Sequence, residues 1–584
     1  MTMRKFWLCA AAAGALLAAD GASAQTPPPA DLASPKYGTW GVDLAGRGEG
    51  VRAGENFFRF ANGTYLDKLV IPPDRVSFGN FLVLRDLSER RTRALVEEVS
   101  ARPGGDPNAI KVGAFYKAFM DDGRIEALGA RPLAGGLGAI RAARSRDDLA
   151  AVMGAAAHTF QDAVFGLYID ADQKDPGRYA IYLGQAGLNL PDRDYYLKPQ
   201  FATQKAKYEA YVAQVLGLAG WPDAAAKAKA IVAFETRIAE VSWTRAEQRD
   251  VDKTYNAMTV AELQRAAPGF AWRRFLAAAG LAGRERLVVG EVTAIPKIAA
   301  IYAQTPLDVL KAWSAFALAD NAAPYLSKPF TDARFEFRNK TLSGQLEQRE
   351  RWKRAVAALE VSLGEAVGEL YVARYFPPEA KAKMDALVAE LKTAMGGRID
   401  RVDWMSPQTK AEARQKLAKF AVKIGFPTSW KDYSTLEIRS DDLFGDMERS
   451  VAHEWDRQAA RLDRPVDRTE WGMTPQTVNA YYNSTMNEIV FPAAILQPPF
   501  FDPGADAAVN YGAIGAVIGH EITHGFDDEG RKSDGDGRLR QWWQAVDAEK
   551  FEASAARLGG QYGAYEPLPG SKINPELTMG ENVA

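Results

Sequence analysis

The sequence predicts a mainly α protein with a small β part, and three observations carry that reading. Val356, Leu359, Leu363, Val367 and Leu370 recur at steps of three and four residues, one apolar face of a long helix. Gln204 to Trp243 carries two alanine-rich amphipathic segments parted by Gly220-Trp221-Pro222. Against these, Tyr179 to Leu183 alternates as a half-buried strand does.

Met1 to Ala24 reads as a secretory signal, residues 1–24. Arg4 and Lys5 give a positive start, Phe6 to Ala19 an apolar run, and Ala22-Ser23-Ala24 a cleavage site. The run is too short to span a bilayer, so no stable membrane anchor is expected. The only cysteine, Cys9, lies inside it, which leaves the mature chain without disulfides or a cysteine nucleophile. Residues 25–36, rich in Pro, Ala and Ser, read as a flexible tether. The expected location is outside the cytoplasm, periplasmic or extracellular.

Folding is expected from about Tyr37, with helices over Glu55 to Leu69 and Leu84 to Val99 broken at Ile71-Pro72-Pro73-Asp74. A first crossing between lobes is placed around Ala246 to Tyr255, and a crossing back near Asp441 to Ser450. Between them, Ala380 to Met395, ended by Gly396-Gly397, and Pro407 to Ala421 read as further helices. This divides the chain into a catalytic lobe of residues 37–248 plus 445–584 and a helical covering lobe of residues 249–444. Lys and Arg number 72 against 74 Asp and Glu, with no basic stripe, so nucleic acid is excluded as a partner.

The chemistry is concentrated in Val517-Ile518-Gly519-His520-Glu521-Ile522-Thr523-His524-Gly525-Phe526-Asp527-Asp528. On a helix His520 and His524 lie one above the other, so two imidazoles can converge on one zinc ion. Three protein ligands leave a position for water, whose pKa falls to about 7, and Glu521 beside them can take its proton as general base. The third ligand is expected to be Glu581, in Gly580-Glu581-Asn582-Val583-Ala584, far enough downstream to sit on a separate helix that packs back. Two histidines and such a glutamate make the thermolysin-type set, with one zinc per chain. Asp527 and Asp528 could help to hold the histidines. His453 is followed by Glu454 but has Arg457 where a second histidine would stand, and His158 has no carboxylate or cysteine nearby in sequence, so neither reads as a ligand. Asp534-Gly535-Asp536-Gly537 lacks the closing glutamate of a calcium loop and reads as a turn.

Upstream stand Val478-Asn479-Ala480-Tyr481-Tyr482 and Ile489-Val490-Phe491-Pro492-Ala493-Ala494-Ile495-Leu496-Gln497-Pro498-Pro499-Phe500-Phe501. With the histidine stretch and Gly580-Glu581-Asn582, these motifs resemble those of the neprilysin family of zinc endopeptidases. Weaker echoes run from Asn56-Phe57-Phe58-Arg59-Phe60 and Gly79-Asn80-Phe81 to Ile424-Gly425-Phe426-Pro427, over nearly all of the mature chain.

The resemblance implies two largely helical lobes around a central cavity, with a thermolysin-like catalytic lobe acting on oligopeptides. It implies that Asn479 and Ala480 hold substrate backbone, and that Phe81, Ile495, Phe500 and Val517 form an apolar pocket favouring cleavage on the amino side of hydrophobic residues. Where the family can place an arginine before Phe81 this chain has Ser77, with Arg85 as a substitute. The family's Gly-Glu-Asn-x-Ala-Asp is cut after Ala584, so the second-shell Asp and a downstream histidine and arginine are missing, and the sequence is expected to be a fragment of a longer enzyme. The rival reading is a non-catalytic exported peptide-binding protein.

Overall fold

The computed structural model describes residues 31–584, so the expected signal segment and the first part of the tether lie outside the described residues. Helix makes up 58% and strand 8%, which settles the class as mainly α with small sheets. Near the start, α1 (Phe57–Lys68) and α2 (Asn80–Ala101) flank the break expected at 71–74. In the middle, α3 (Ala202–Leu218) and α4 (Ala224–Val241) are parted where Gly220-Trp221-Pro222 predicts. Gly220, at φ +64°, donates to Gly217 O and Trp221 to Leu216 O, a pair of bonds that closes α3 and needs a left-handed residue between them.

The first sheet has the order β1-β2-β4-β3, built from β1 (Phe165–Asp172), β2 (Asp175–Gln185), β3 (Asn256–Thr259) and β4 (Arg286–Val289). β1 and β2 form an antiparallel hairpin whose turn points toward the second half of the chain. The second sheet has the order β5-β7-β6, from β5 (Ala421–Gly425), β6 (Tyr481–Asn483) and β7 (Glu488–Pro492). Within it β6 pairs only with β7 and so leaves an edge.

Among the helices between the two sheets in the chain are α5 (Arg351–Tyr375), α6 (Pro378–Arg401) and α7 (Pro407–Ala418). The stop expected at Gly396-Gly397 is not there, because α6 continues to Arg401. Gly396 serves close packing instead: a Cβ on it would lie 2.6 Å from Arg414 Nη1 of α7. Helix α7 ends at Ala418 rather than Ala421, where β5 begins. The C-terminal part supplies α8 (Ile514–His524), α9 (Ala545–Gly563) and α10 (Pro575–Val583).

Apolar side chains gather into two interiors. The first takes α3, α4, the first sheet and α5 as far as Val367; the second takes Tyr371 at the end of α5, then α6, α7, β5, β7 and α8. Helix α5 therefore bridges them. The boundaries expected at 248/249 and 444/445 both lie within the first interior, which holds Ile238 with Val260 and Leu443 with Met447. The stretch around 441–450 is the start of a helix, Leu443–Arg461, capped by Asp442.

One carboxyl group is enclosed in the first interior with four donors around it. Glu235 accepts from Asn189 Nδ2 at 2.7 Å, Tyr196 at 2.9 Å, Tyr208 at 3.1 Å and Trp313 Nε1 at 2.9 Å. Burial nevertheless pushes its pKa up to about 7, against which those hydrogen bonds pull it down. Between the ordinary carboxylate range and about pH 7 the native state then holds a proton that the unfolded chain has released, so stability falls as pH rises through that window. The expected outcome is that Glu235→Gln removes this slope, read as the difference in urea midpoint between variant and parent from pH 4.5 to 8. A difference that stays constant with pH contradicts it.

Candidate metal centre

Ile514, Ile518 and Ile522 recur every four residues along α8 and are buried in the second interior. That stripe turns His520 and His524 toward a cavity of about 500 Å³. Their Nε2 atoms lie 3.0 Å apart, with the rings edge to face. Glu581 reaches the same point from α10: its carboxylate oxygens lie 3.3 Å from His520 Nε2 and 3.8 Å from His524 Nε2. Among the described residues these three are the group whose donor atoms all fall within 4.8 Å of one another.

The donor set fits zinc. Ligand bonds of about 2.0–2.2 Å in a tetrahedron place donor atoms roughly 3.3 Å apart, and the three separations straddle that value. Asp527 Oδ2 accepts from His524 Nδ1 at 2.7 Å, which leaves the Nε2 lone pair facing the cavity. The carboxylate sits three residues past the histidine, held by Glu529 N at 3.0 Å and Gly530 N at 2.6 Å.

Glycines let the separate backbones approach. A Cβ on Gly530 would fall 1.7 Å from His524 O, so only glycine lets the loop after α8 fold back under the helix. A Cβ on Gly559 of α9 would meet Met579 Cε at 2.9 Å, and one on Gly580 would meet Asp527 Oδ2 at 2.9 Å, so bare positions bring α10 down beside α8. Lys416 supports the loop from below, donating from Nζ to Gly530 O and Ser533 O, each at 2.7 Å.

Glu521 is buried beside the histidines, and that burial pushes its carboxyl up to about 7, with His524 pulling it down and Glu581 raising it. Burial lowers His520, helped by the neighbouring His524. For His524 burial acts the same way but is outweighed by Asp527, and the net direction is up.

Asn479 is exposed and Ala480 buried, and both line the cavity just before the free edge of β6. The four residues expected to form an apolar pocket do not line it. Ile495 is wholly enclosed in the second interior, because the turn after β7 packs inward. Phe81 and Phe500 stack against each other with ring centres 4.5 Å apart, and Val517 sits one turn before His520 on α8. Several lining residues carry no sequence signal, Gln173 and Val251 among them. Gln173, at the β1–β2 turn, accepts from Leu539 N at 2.6 Å, and Val251 donates from N to Glu529 Oε2 at 3.3 Å. His158 bonds Asp456 and His453 stacks on Tyr433, both away from the cavity.

Residues 53–427 match the N-terminal family model and residues 479–584 the second model of "Peptidase family M13". Endothelin-converting enzyme-like 1 of Mus musculus is 31% identical over 558 residues, covering 91% of this chain and 71% of that protein. The crystal structure of Mycobacterium tuberculosis zinc metalloprotease Zmp1 in complex with an inhibitor is 42% identical and superposes with a TM-score of 0.90, covering 94% of this chain and 85% of that one. The open state of the same protein gives 0.73 at 43% identity, over 91% and 84%.

The loop geometry makes a direct prediction. Gly530→Ala is expected to displace His524 and weaken zinc binding by roughly 10-fold or more, because Asp527 and the helix end move with it. Zinc titration of the metal-free protein checks this, and parent-like affinity would contradict it.

Proposed function

The chain belongs to peptidase family M13, and from that premise we propose that it is an exported zinc endopeptidase cutting oligopeptides on the amino side of hydrophobic residues. The observation that carries the reading is the meeting of His520, His524 and Glu581 with Glu521 at one cavity. Zinc held by those three ligands supplies a Lewis acid for the scissile carbonyl and brings the pKa of water to about 7.

The protein's own residues do the rest. Glu521 takes the proton of the attacking water as the oxygen bonds to the carbonyl carbon, then passes it to the amine nitrogen as the C–N bond breaks. Its place one residue after His520, at the wall of the same cavity, sets it beside the water it deprotonates. Asp527 holds the His524 ring in place through Nδ1. The Asn479 side chain and the Ala480 backbone align the peptide as a strand added to the free edge of β6.

Preference for a hydrophobic residue after the cut rests on the resemblance alone, since Phe81, Ile495, Phe500 and Val517 do not line the cavity. Export rests on the reading of residues 1–24. We draw the two lobes on the two apolar interiors, with the cavity between them, since Gln173 and Val251 reach it from elements of the first. The higher similarity to the inhibitor-bound relative than to its open state supports reading this arrangement as closed.

Glu521→Gln separates an enzyme from a peptide-binding protein. The expected outcome is a fall in hydrolysis of an internally quenched oligopeptide by roughly 10²–10⁴-fold, with zinc content and peptide affinity kept. Hydrolysis within a few-fold of the parent would sink the assigned role.

A further inference from the structure

The segment that leads into the substrate edge is held by α5, the helix that bridges the two interiors. Residues 474–477 lie across α5, and their contacts are unusually polar for a loop. Glu360 of α5 accepts from Thr474 Oγ1, from Gln476 Nε2 at 2.7 Å and from Thr477 Oγ1 at 3.4 Å. Gln476 Nε2 also donates to Gly364 O at 2.8 Å, and Ser88 Oγ of α2 donates to Gln476 O at 2.7 Å. One carboxylate thus collects three side chains from four consecutive residues.

The helix is shaped to receive them. Gly364 and Gly368 stand one turn apart and form a bare groove: a Cβ at 364 would lie 2.9 Å from Thr474 Cγ2, and one at 368 would lie 2.7 Å from Pro475 Cδ and 3.0 Å from Gln476 Oε1. The helix bends at Leu363, whose φ −131° and ψ 30° are not helical, beside the point where Gln476 reaches the Gly364 carbonyl. Beyond this contact Val478 and Ala480 pack toward the second interior, while Asn479 between them is exposed. A second cavity of about 410 Å³ is lined by Glu360, Thr477, Val478 and Asn479, and Asn479 also lines the metal centre's cavity. Asn479 thus stands between two spaces, two residues past the anchored Thr477.

We propose that Glu360, seated beside the Gly364/Gly368 groove of α5, is a positioning residue that fixes Asn479 and Ala480 for substrate binding. The inference rests on the reading of Asn479 as a substrate-gripping residue. Hydrogen bonds donated to Glu360 by Thr474, Gln476 and Thr477 hold the strand entrance at the depth set by the groove, and they make substrate affinity depend on the helix that bridges the two interiors. No contact with the metal ligands is involved, so the chemical step is untouched.

The test uses the zinc-loaded full-length protein, an internally quenched peptide, and three variants: Glu360→Gln, Thr477→Val and Asn479→Ala. Glu360→Gln keeps the size of the side chain and removes the charge. The expected result is a KM raised about tenfold in Glu360→Gln and in Asn479→Ala, and less in Thr477→Val, with kcat within about twofold and zinc content unchanged. A KM for Glu360→Gln within twofold of the parent, while Asn479→Ala raises it, overturns the positioning role. So does a fall in kcat at constant KM. If Asn479→Ala itself leaves KM unchanged, the reading of that edge as substrate-binding fails, and the positioning role fails with it. Thermal unfolding of each variant separates lost folding from lost grip, and Thr477→Val keeps the proposal open to refutation should Glu360→Gln not fold.

Discussion

Three electron-rich donor atoms held within a few ångströms of one another are the constraint on which the catalytic half is built. Two come from one helix turn of α8, and the third comes from α10, more than fifty residues later in the chain. Bringing a carboxylate from a second helix that close needs tight approach: a Cβ on Gly530 would fall 1.7 Å from His524 O where the loop returns under α8, and one on Gly580 would meet Asp527 Oδ2 at 2.9 Å. A zinc ion held there would stabilise the cluster, since binding to a preformed set of ligand atoms adds to the stability of the folded state. Around it the carboxylate of Asp527 orients a ring, and a buried lysine, Lys416, ties down the loop that carries that carboxylate.

The second constraint is that the site is assembled from both apolar interiors. Arg249 and Val251 lead out of the first interior onto the loop after α8: Arg249 Nη1 donates to Glu576 O of α10 at 2.7 Å, and its Nη2 lies 3.3 Å from Asp528 Oδ2. Lys532 answers from that loop, 2.8 Å from Asp250 Oδ1. These are polar, partly exposed contacts, of the kind that separate at small cost. Helix α5 is the opposite case, because its apolar residues pass without a break from one interior to the other.

How much of this was legible in the sequence depends on how local each cause is. The placing of His520 and His524 on one helix face, with Glu521 beside them, follows from helix periodicity, and the motif that holds Glu581 pointed to the carboxylate that the fold brings to the same point. Strand β7 was not legible, because Glu488–Pro492 is buried on both faces and a strand covered twice shows a run of apolar residues instead of alternation. Gly396 was misread as a stop, since a glycine that ends a helix and one that admits a neighbouring helix look alike until the neighbour is known. Ile495 belongs to a motif but faces inward, and motif membership alone does not tell a pocket wall from core. Gln173 and Val251 come to the cavity through tertiary packing and leave no trace in local pattern. The division into lobes was hard for the same reason: periodicity marks that a helix has an apolar face, not which interior that face enters.

The most direct test of the account is the X-ray absorption spectrum at the zinc edge of the zinc-loaded full-length protein, compared with that of Glu581→Ala. The account predicts zinc bound by two imidazoles and light oxygen donors with no sulfur, and a first shell in the variant that loses an oxygen donor while keeping both imidazoles. A shell with one imidazole or none, or a spectrum that the substitution does not change, would contradict the claim that His520, His524 and Glu581 together hold the metal.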